Sequence, residues 1–177
     1  MPVRGSVWSK LLIRLANASD EEPIWDILAP MIRAGETYPL PRDMGRDEAL
    51  RYWFSPGHEV FVAEDEGRVL GTYYLRANHD GGGSHVANCG YVTAESAGGR
   101  GVGRLMCEHS LARAAARGFR AMQFNFVVSS NERAVRLWQW CGFETIGRLP
   151  SAFKHPTRGY VDALVMYRPL APAADSN

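Results

Sequence analysis

The sequence predicts an α/β protein in which one mixed β-sheet is covered by helices. Three observations lead there. The chain has 177 residues, 46% hydrophobic and 22% charged, a length and composition that suit one soluble domain with a substantial core. Its apolar pattern switches between helical and strand periods in the order β-α-α-β-β-β-α-β-α-β-β. One strand also runs into a glycine-rich loop that opens directly onto a helix.

The elements follow in order. Leu11–Leu15 is a short strand. Ser19 and Asp20 are N-cap candidates with Glu22 three residues after Ser19, and Ile24, Ile27, Leu28, Met31 and Ile32 share one helical face. Gly35 ends that helix, and 39–41 is a loop between two prolines. A second helix spans about 46–54, stopped before Pro56-Gly57. Glu59–Glu64 and Val69–Arg76 form a hairpin around Asp65-Glu66-Gly67. After a loop holding three consecutive glycines, 85–93 is a strand, 101–117 a helix and 121–128 a buried strand. Residues 130–141 form a helix stopped by Gly142. Strands 143–148 and 160–167, split by a loop with Pro150 and Pro156, complete seven. The domain is expected over 10–170, with loose termini at 1–9 and 171–177.

Composition excludes several functions. With 20 basic and 19 acidic side chains, the net charge is +1, without the basic excess of a nucleic-acid binder. No apolar run approaches the roughly 18–20 residues that span a bilayer. Met1 to Lys10 lacks the apolar core of a secretory signal, so a cytoplasmic protein is expected. Cys89, Cys107 and Cys141 are widely spaced, with no C-x-x-C pair, and read as reduced, apolar packing residues. His79, Asp80 and His85 fit no ligand spacing, so no metal is expected.

The segment Tyr91-Val92-Thr93 to Met106 carries the chemistry. Its loop holds Gly98, Gly99, Gly101 and Gly103, and its helix start presents unpaired N–H groups suited to phosphate, with Arg100 and Arg104 adding charge. A Walker loop needs Gly-Lys-Ser/Thr, and no Lys is present. A Rossmann fingerprint also fails, because Gly101-Val102-Gly103 is followed three positions later by Met106.

Val92 through Leu105 instead resembles the coenzyme A loop of the GNAT N-acetyltransferases, Gln/Arg-x-x-Gly-x-Gly/Ala, here Gly98-Gly99-Arg100-Gly101-Val102-Gly103. A second family block follows at the expected distance, Asn131-Glu-Arg-Ala134 through Leu137-Trp138 to Gly142-Phe143. The resemblance covers about residues 10–168. It implies a mixed, mostly antiparallel sheet of about seven strands whose central parallel pair splays apart, and it implies acetyl-CoA as co-substrate. Tyr91, Val92 and Thr93 are then expected to lend main-chain groups to the pantetheine arm. Gly98 to Gly103 should cradle the pyrophosphate, and Asn131 should bond the cofactor arm. The competing reading of Asn131 is a plain helix-start residue. The family often has Tyr where this chain has Trp138, and indole cannot usefully transfer a proton. Either another group such as water reprotonates the departing thiolate or the thiolate leaves unaided, its thiol pKa being about 8.5. Trp138 itself reads as a core or cofactor-packing aromatic.

Acetyl transfer to an amine needs alignment, an unprotonated amine and a stabilised oxyanion. Asn88 and Asn125 are polar amides in otherwise apolar strands, and each costs about 1–3 kcal/mol unless hydrogen-bonded. They are read as facing the acceptor, with a backbone-satisfied amide as the alternative. Glu36, Tyr38 and either Tyr73 or Tyr74 (strand alternation favours one, taken as Tyr74) are expected to wall the substrate. Glu36 reads equally as a solvated carboxylate, and His85 is a candidate base. A narrower similarity, in Asn88-Cys-Gly-Tyr91 and Phe124-Asn125 to Asn131, is to azetidine-2-carboxylate (proline-analogue) acetyltransferases, which implies a small amino or imino acid. The alternatives are a protein or peptide N-acetyltransferase and a non-catalytic acyl-CoA binder. The family resemblance also implies a homodimer.

Overall fold

A computed structural model describes residues 10–171, and its elements run β1 (Leu12–Leu15), α1 (Glu21–Ala34), α2 (Arg46–Trp53), β2 (Glu59–Asp65), β3 (Arg68–Ala77), β4 (Val86–Thr93), α3 (Val102–Ala116), β5 (Ala121–Val128), α4 (Glu132–Trp140), β6 (Glu144–His155) and β7 (Gly159–Pro169). The ends expected to be loose lie outside the described residues apart from Ala171. The element order is the one the sequence predicts. All seven strands join one sheet in the order β1-β2-β3-β4-β5-β7-β6, and every neighbouring pair is antiparallel except β4 and β5.

Helices cover both faces, giving two cores. On one side α3 and α4 pack Val102, Met106, Leu111 and Trp138 against Tyr73, Leu75, Met122 and Phe124. On the other, α1 and α2 pack Ile24, Leu28, Ile32 and Trp53 against Val60, Val62, Tyr74 and Val92. Each buried aliphatic side chain there contributes about 1.5–3 kcal/mol. Because successive strand residues face opposite sides, Tyr73 and Tyr74 belong to different cores.

Two local expectations change. Asp20, one of the two candidates, does stand at the N-cap of α1, but its side chain makes no capping bond. The capping side chain is Asn17, whose Oδ1 accepts from the Ser19 N–H at 2.9 Å and caps a 3₁₀ turn ahead of α1. Asp20 is otherwise engaged: its carboxylate accepts from the Asn17 N–H at 2.8 Å and from both terminal nitrogens of Arg14. Likewise β6 continues through Pro150 to His155 instead of stopping at Arg148. It is the sheet's edge strand, where a missing N–H is tolerated, and its ladder shifts register between Leu149 and Phe153 around Ser151 at φ +51°. A bulge of this kind accommodates the proline.

Candidate active site

β4 and β5 pair only at Val86↔Ala121 and Ala87↔Met122, then diverge. The Ala94 N–H donates to Leu70 O at 2.8 Å, which sets the even residues of β4 against β3. Antiparallel alternation therefore turns the N–H and C=O of Tyr91 and Thr93 into the gap. The Tyr38 hydroxyl, from the loop after α1, fills part of that gap. It accepts from the Tyr91 N–H at 2.8 Å and donates to the Tyr91 carbonyl at 3.1 Å. Burial holds this phenol well above its ordinary pKa, so it stays protonated.

The gap opens onto the glycine loop. Gly99 and Gly101 have φ +76° and +75°, which side-chain-bearing residues rarely adopt. At Gly103 a Cβ would lie 3.2 Å from Leu137 Cδ2, so glycine lets α3 approach α4. The Leu105 N–H donates to Gly101 O at 3.0 Å. The amides before it, at the start of α3, have no turn above them to pair with. Gly99, Gly101, Val102, Gly103 and Arg104 line one continuous cavity there, and an N-terminal amide cluster with its positive dipole end fits a phosphate. Asn131 lines the same cavity and also caps α4, its Oδ1 accepting from the Ala134 N–H at 3.3 Å. Gly98 and Arg100 stay off the cavity wall, and Arg100 pairs with Asp65. Arg104 stacks 3.6 Å from the centre of the Trp140 ring. Arg113 and Arg117 are both paired with Glu59.

The cavity measures about 730 Å³, within the usual range for small-molecule sites. Its other end is walled by Glu36, Tyr38, Tyr52, Tyr74, Arg76, Asn88 and Asn125, with Tyr91, Val92 and Thr93 between. Tyr74 faces it and stacks on His58 at 4.1 Å. Tyr73 instead bonds His109 Nδ1 at 2.6 Å on the far face. Glu36 is exposed on the cavity wall, whereas His85 is exposed and off the wall.

Asn88 lies near the vertex of the divergence and donates to Gln123 O at 2.9 Å, bridging the strands where their ladder ends. Asn125 occupies a bulge, since the β5–β7 register shifts between Phe124 and Val127. It accepts from Gln123 Nε2 at 2.9 Å and donates to Asn78 Oδ1 at 2.7 Å. Trp138 is nine-tenths buried, its ring 4.8 Å from Tyr91 and 5.0 Å from Phe124, and it forms an apolar wall of the cavity.

Arg76, Tyr52 and Arg133 also line the cavity, and the sequence reading missed them. Arg76 was legible in principle, because strand alternation places it on the same face as Tyr74.

A sheet split between its central parallel strands, with a phosphate-suited helix start at the split, defines an acyl-CoA-dependent transferase fold. The profile of the Acetyltransferase (GNAT) family matches residues 24–143, and the chain belongs to that family. By class it is an N-acyltransferase that uses acetyl-CoA. A GCN5-related N-acetyltransferase from Kribbella flavida is 42% identical, with a TM-score of 0.87 over 90% of this chain and 98% of that one. The N-acetyltransferase aca1 of Schizosaccharomyces pombe is 27% identical across 90% of this chain and 87% of its own. A phosphinothricin acetyltransferase from Sinorhizobium meliloti, solved with acetyl-CoA, shares the fold at 24% identity and a TM-score of 0.80, covering 93% of this chain and 94% of that one. Among the described residues, no helix is long and apolar enough to cross a membrane.

Proposed function

We propose that the domain over residues 10–170 transfers acetyl from acetyl-CoA to the amine of a small amino or imino acid, or of a toxic analogue, with both substrates bound together. The observation that carries this reading is the acceptor end of the cavity, where Tyr38, Tyr52 and Tyr74 face the amides of Asn88 and Asn125. Aromatic walls with a few placed polar groups suit a small ligand.

In this reading each residue has a distinct task. The α3 amides with Gly99, Gly101, Gly103 and Arg104 hold the pyrophosphate, while Asn131 and the main chain of Tyr91 to Thr93 align the arm. The bound thioester supplies the activated acetyl. The Tyr91 N–H donates to the acyl oxygen as negative charge develops there. Trp138 and Phe124 exclude water, and Asn88 and Asn125 orient the acceptor. The Tyr38 phenol, held protonated in the gap, can hydrogen-bond the departing thiolate, which leaves unaided or takes its proton from water. Three buried free thiols support a reducing, cytoplasmic setting. A homodimer, which the family resemblance implies, completes the reading.

The test incubates the protein with acetyl-CoA and a panel of proline analogues, amino acids, polyamines, aminoglycosides and peptides, with products read by mass spectrometry. Acetylation of small acids is expected. Acetylation confined to peptides would replace this reading with a peptide N-acetyltransferase.

A further inference from the structure

Two of the three cysteines meet where α3 packs on α4. The contacts between these helices climb in step. A Cβ on Gly103 would lie 3.2 Å from Leu137 Cδ2, and the Arg104 guanidinium stacks 3.6 Å from the centre of the Trp140 ring. Cys107 stands one helical turn beyond Gly103 on α3. Cys141 stands one turn beyond Leu137, and its N–H donates to Leu137 O at 2.9 Å. A turn advances each helix by about 5.4 Å, so the close approach that glycine permits at 103 and 137 carries on to 107 and 141. Both side chains are buried in the same core, at 0% and 4% exposure. There the Cys107 thiol donates to the Cys141 sulfur.

The two thiols are chemically unequal. Accepting that bond holds Cys141 below the ordinary thiol range; the charges of Arg168 and Arg104 act in the same direction, burial and Glu108 against it. Cys107, the donor, is held well above that range by the same bond and by burial. Cys141 therefore supplies the thiolate, the reactive form. It also caps the nine-residue α4, at a helix end where the chain frays, so it is the first of the pair that a small oxidant meets. A reactive thiol beside a second, resolving thiol is the arrangement of redox-responsive cysteines. Cys89 stands apart. Burial pushes its thiol up to about 12, and its hydrogen-bond partners are the hydroxyls of Tyr91 and Ser110.

We propose that Cys107 and Cys141 form a reversible disulfide on exposure to a peroxide, and that this bridge weakens acetyl-CoA binding. The bridge acts on the cofactor half of the site, whatever the acceptor. The Cys141 thiolate attacks one peroxide oxygen, so that an S–O bond forms and the O–O bond breaks. The departing hydroxide becomes water with the proton that Cys141 released. The Cys107 sulfur then attacks the Cys141 sulfenic acid, forming S–S and breaking S–O, and the Cys107 proton leaves with the hydroxyl as a second water. Two thiols and one peroxide thus give one disulfide and two waters, and a dithiol reductant reverses the change. Transient bridges of this kind suit a reducing compartment. Bonded sulfurs lie about 2 Å apart, closer than two thiols in contact, so closure draws α4 toward α3. Both helices line the cofactor cavity, through Gly103 and Arg104 on α3 and Leu137 and Trp138 on α4, and the cleft they share narrows.

The test treats the reduced protein with hydrogen peroxide, blocks the remaining thiols under denaturing conditions and maps the digest by mass spectrometry. The expected product is a cross-linked peptide joining Cys107 to Cys141, two hydrogens lighter than its reduced parts, with Cys89 alkylated. Oxidised and reduced protein, freed of reagents, are then titrated with acetyl-CoA, which carries no free thiol to reopen the bridge. The oxidised form should bind about 5-fold more weakly or worse, the lower end of ordinary coupling between sites, and dithiothreitol should restore the affinity. In Cys141→Ala both the cross-link and the peroxide-induced loss should vanish, while Cys89→Ala should keep the cross-link. Thiols left unbridged, a bridge to Cys89, a loss of affinity that persists in Cys141→Ala, or a Cys107–Cys141 bridge that leaves acetyl-CoA affinity unchanged would each overturn the proposal.

Discussion

The hydroxyl of Tyr38 holds both main-chain groups of Tyr91, at 2.8 Å and 3.1 Å, in the gap between the parting strands. In the proposed reading a loop side chain thus occupies the strand edge that receives the acyl oxygen, and loading acetyl-CoA opens that bond. Tyr38→Phe removes the competitor, so acetyl-CoA should bind about 5-fold more tightly relative to CoA, the worth of one ordinary hydrogen bond. Calorimetric titration of both ligands checks it, and weaker acetyl-CoA binding in the variant would contradict it.

The glycine loop makes a second prediction. Gly101→Ala forces a side chain onto a residue at φ +75° with open space around it, so the cost is backbone strain of about 1–2 kcal/mol. Gly103→Ala meets Leu137 at 3.2 Å, displacing α4 and its cap Asn131. Both variants should raise the Kd for CoA about 10-fold or more, and unchanged CoA affinity in both would remove the loop from the phosphate site.

Asn88 and Asn125 should separate in their effects. Asn88 is 7% exposed and ties β4 to β5, so Asn88→Ala should cost about 1–3 kcal/mol of stability as well as activity. Asn125 is exposed on its bulge, so Asn125→Ala should lower kcat/KM with little change in Tm. Unchanged kcat/KM in both variants would exclude them from acceptor recognition.

Acid stability depends on Asp20. The Arg14 guanidinium and the Asn17 N–H hold its carboxyl below the ordinary range. A depressed folded pKa contributes stability above the unfolded value, near pH 4, that is lost as pH falls through the folded one. Asp20→Asn should therefore cost about 1–3 kcal/mol at neutral pH, and its stability should fall less steeply than the wild type's below pH 4. Urea titrations across pH 2–7 measure this, and parallel curves for the two proteins would contradict it.

The cofactor side was far more legible in the sequence than the acceptor side. Gly99, Gly101 and Gly103 announce themselves because one short contiguous segment supplies both the turn and the helix start. The acceptor end is assembled from β3, β4, β5 and the loop after α1, and no local pattern links Arg76 to Asn88 or Tyr38 to Tyr91. Those contacts follow from strand register and from the divergence after Ala87. The β6 boundary was missed for a related reason, since Pro150 reads as a stop unless the strand is known to be an edge with a bulge.

The central claim, acetyl transfer to a small amine held in this cavity, is tested most directly by one competition. A free imino acid and a peptide beginning with the same residue are offered together with limiting acetyl-CoA, and the products are quantified by mass spectrometry. The account predicts that the free imino acid takes the acetyl group almost entirely. Predominant acetylation of the peptide would contradict it.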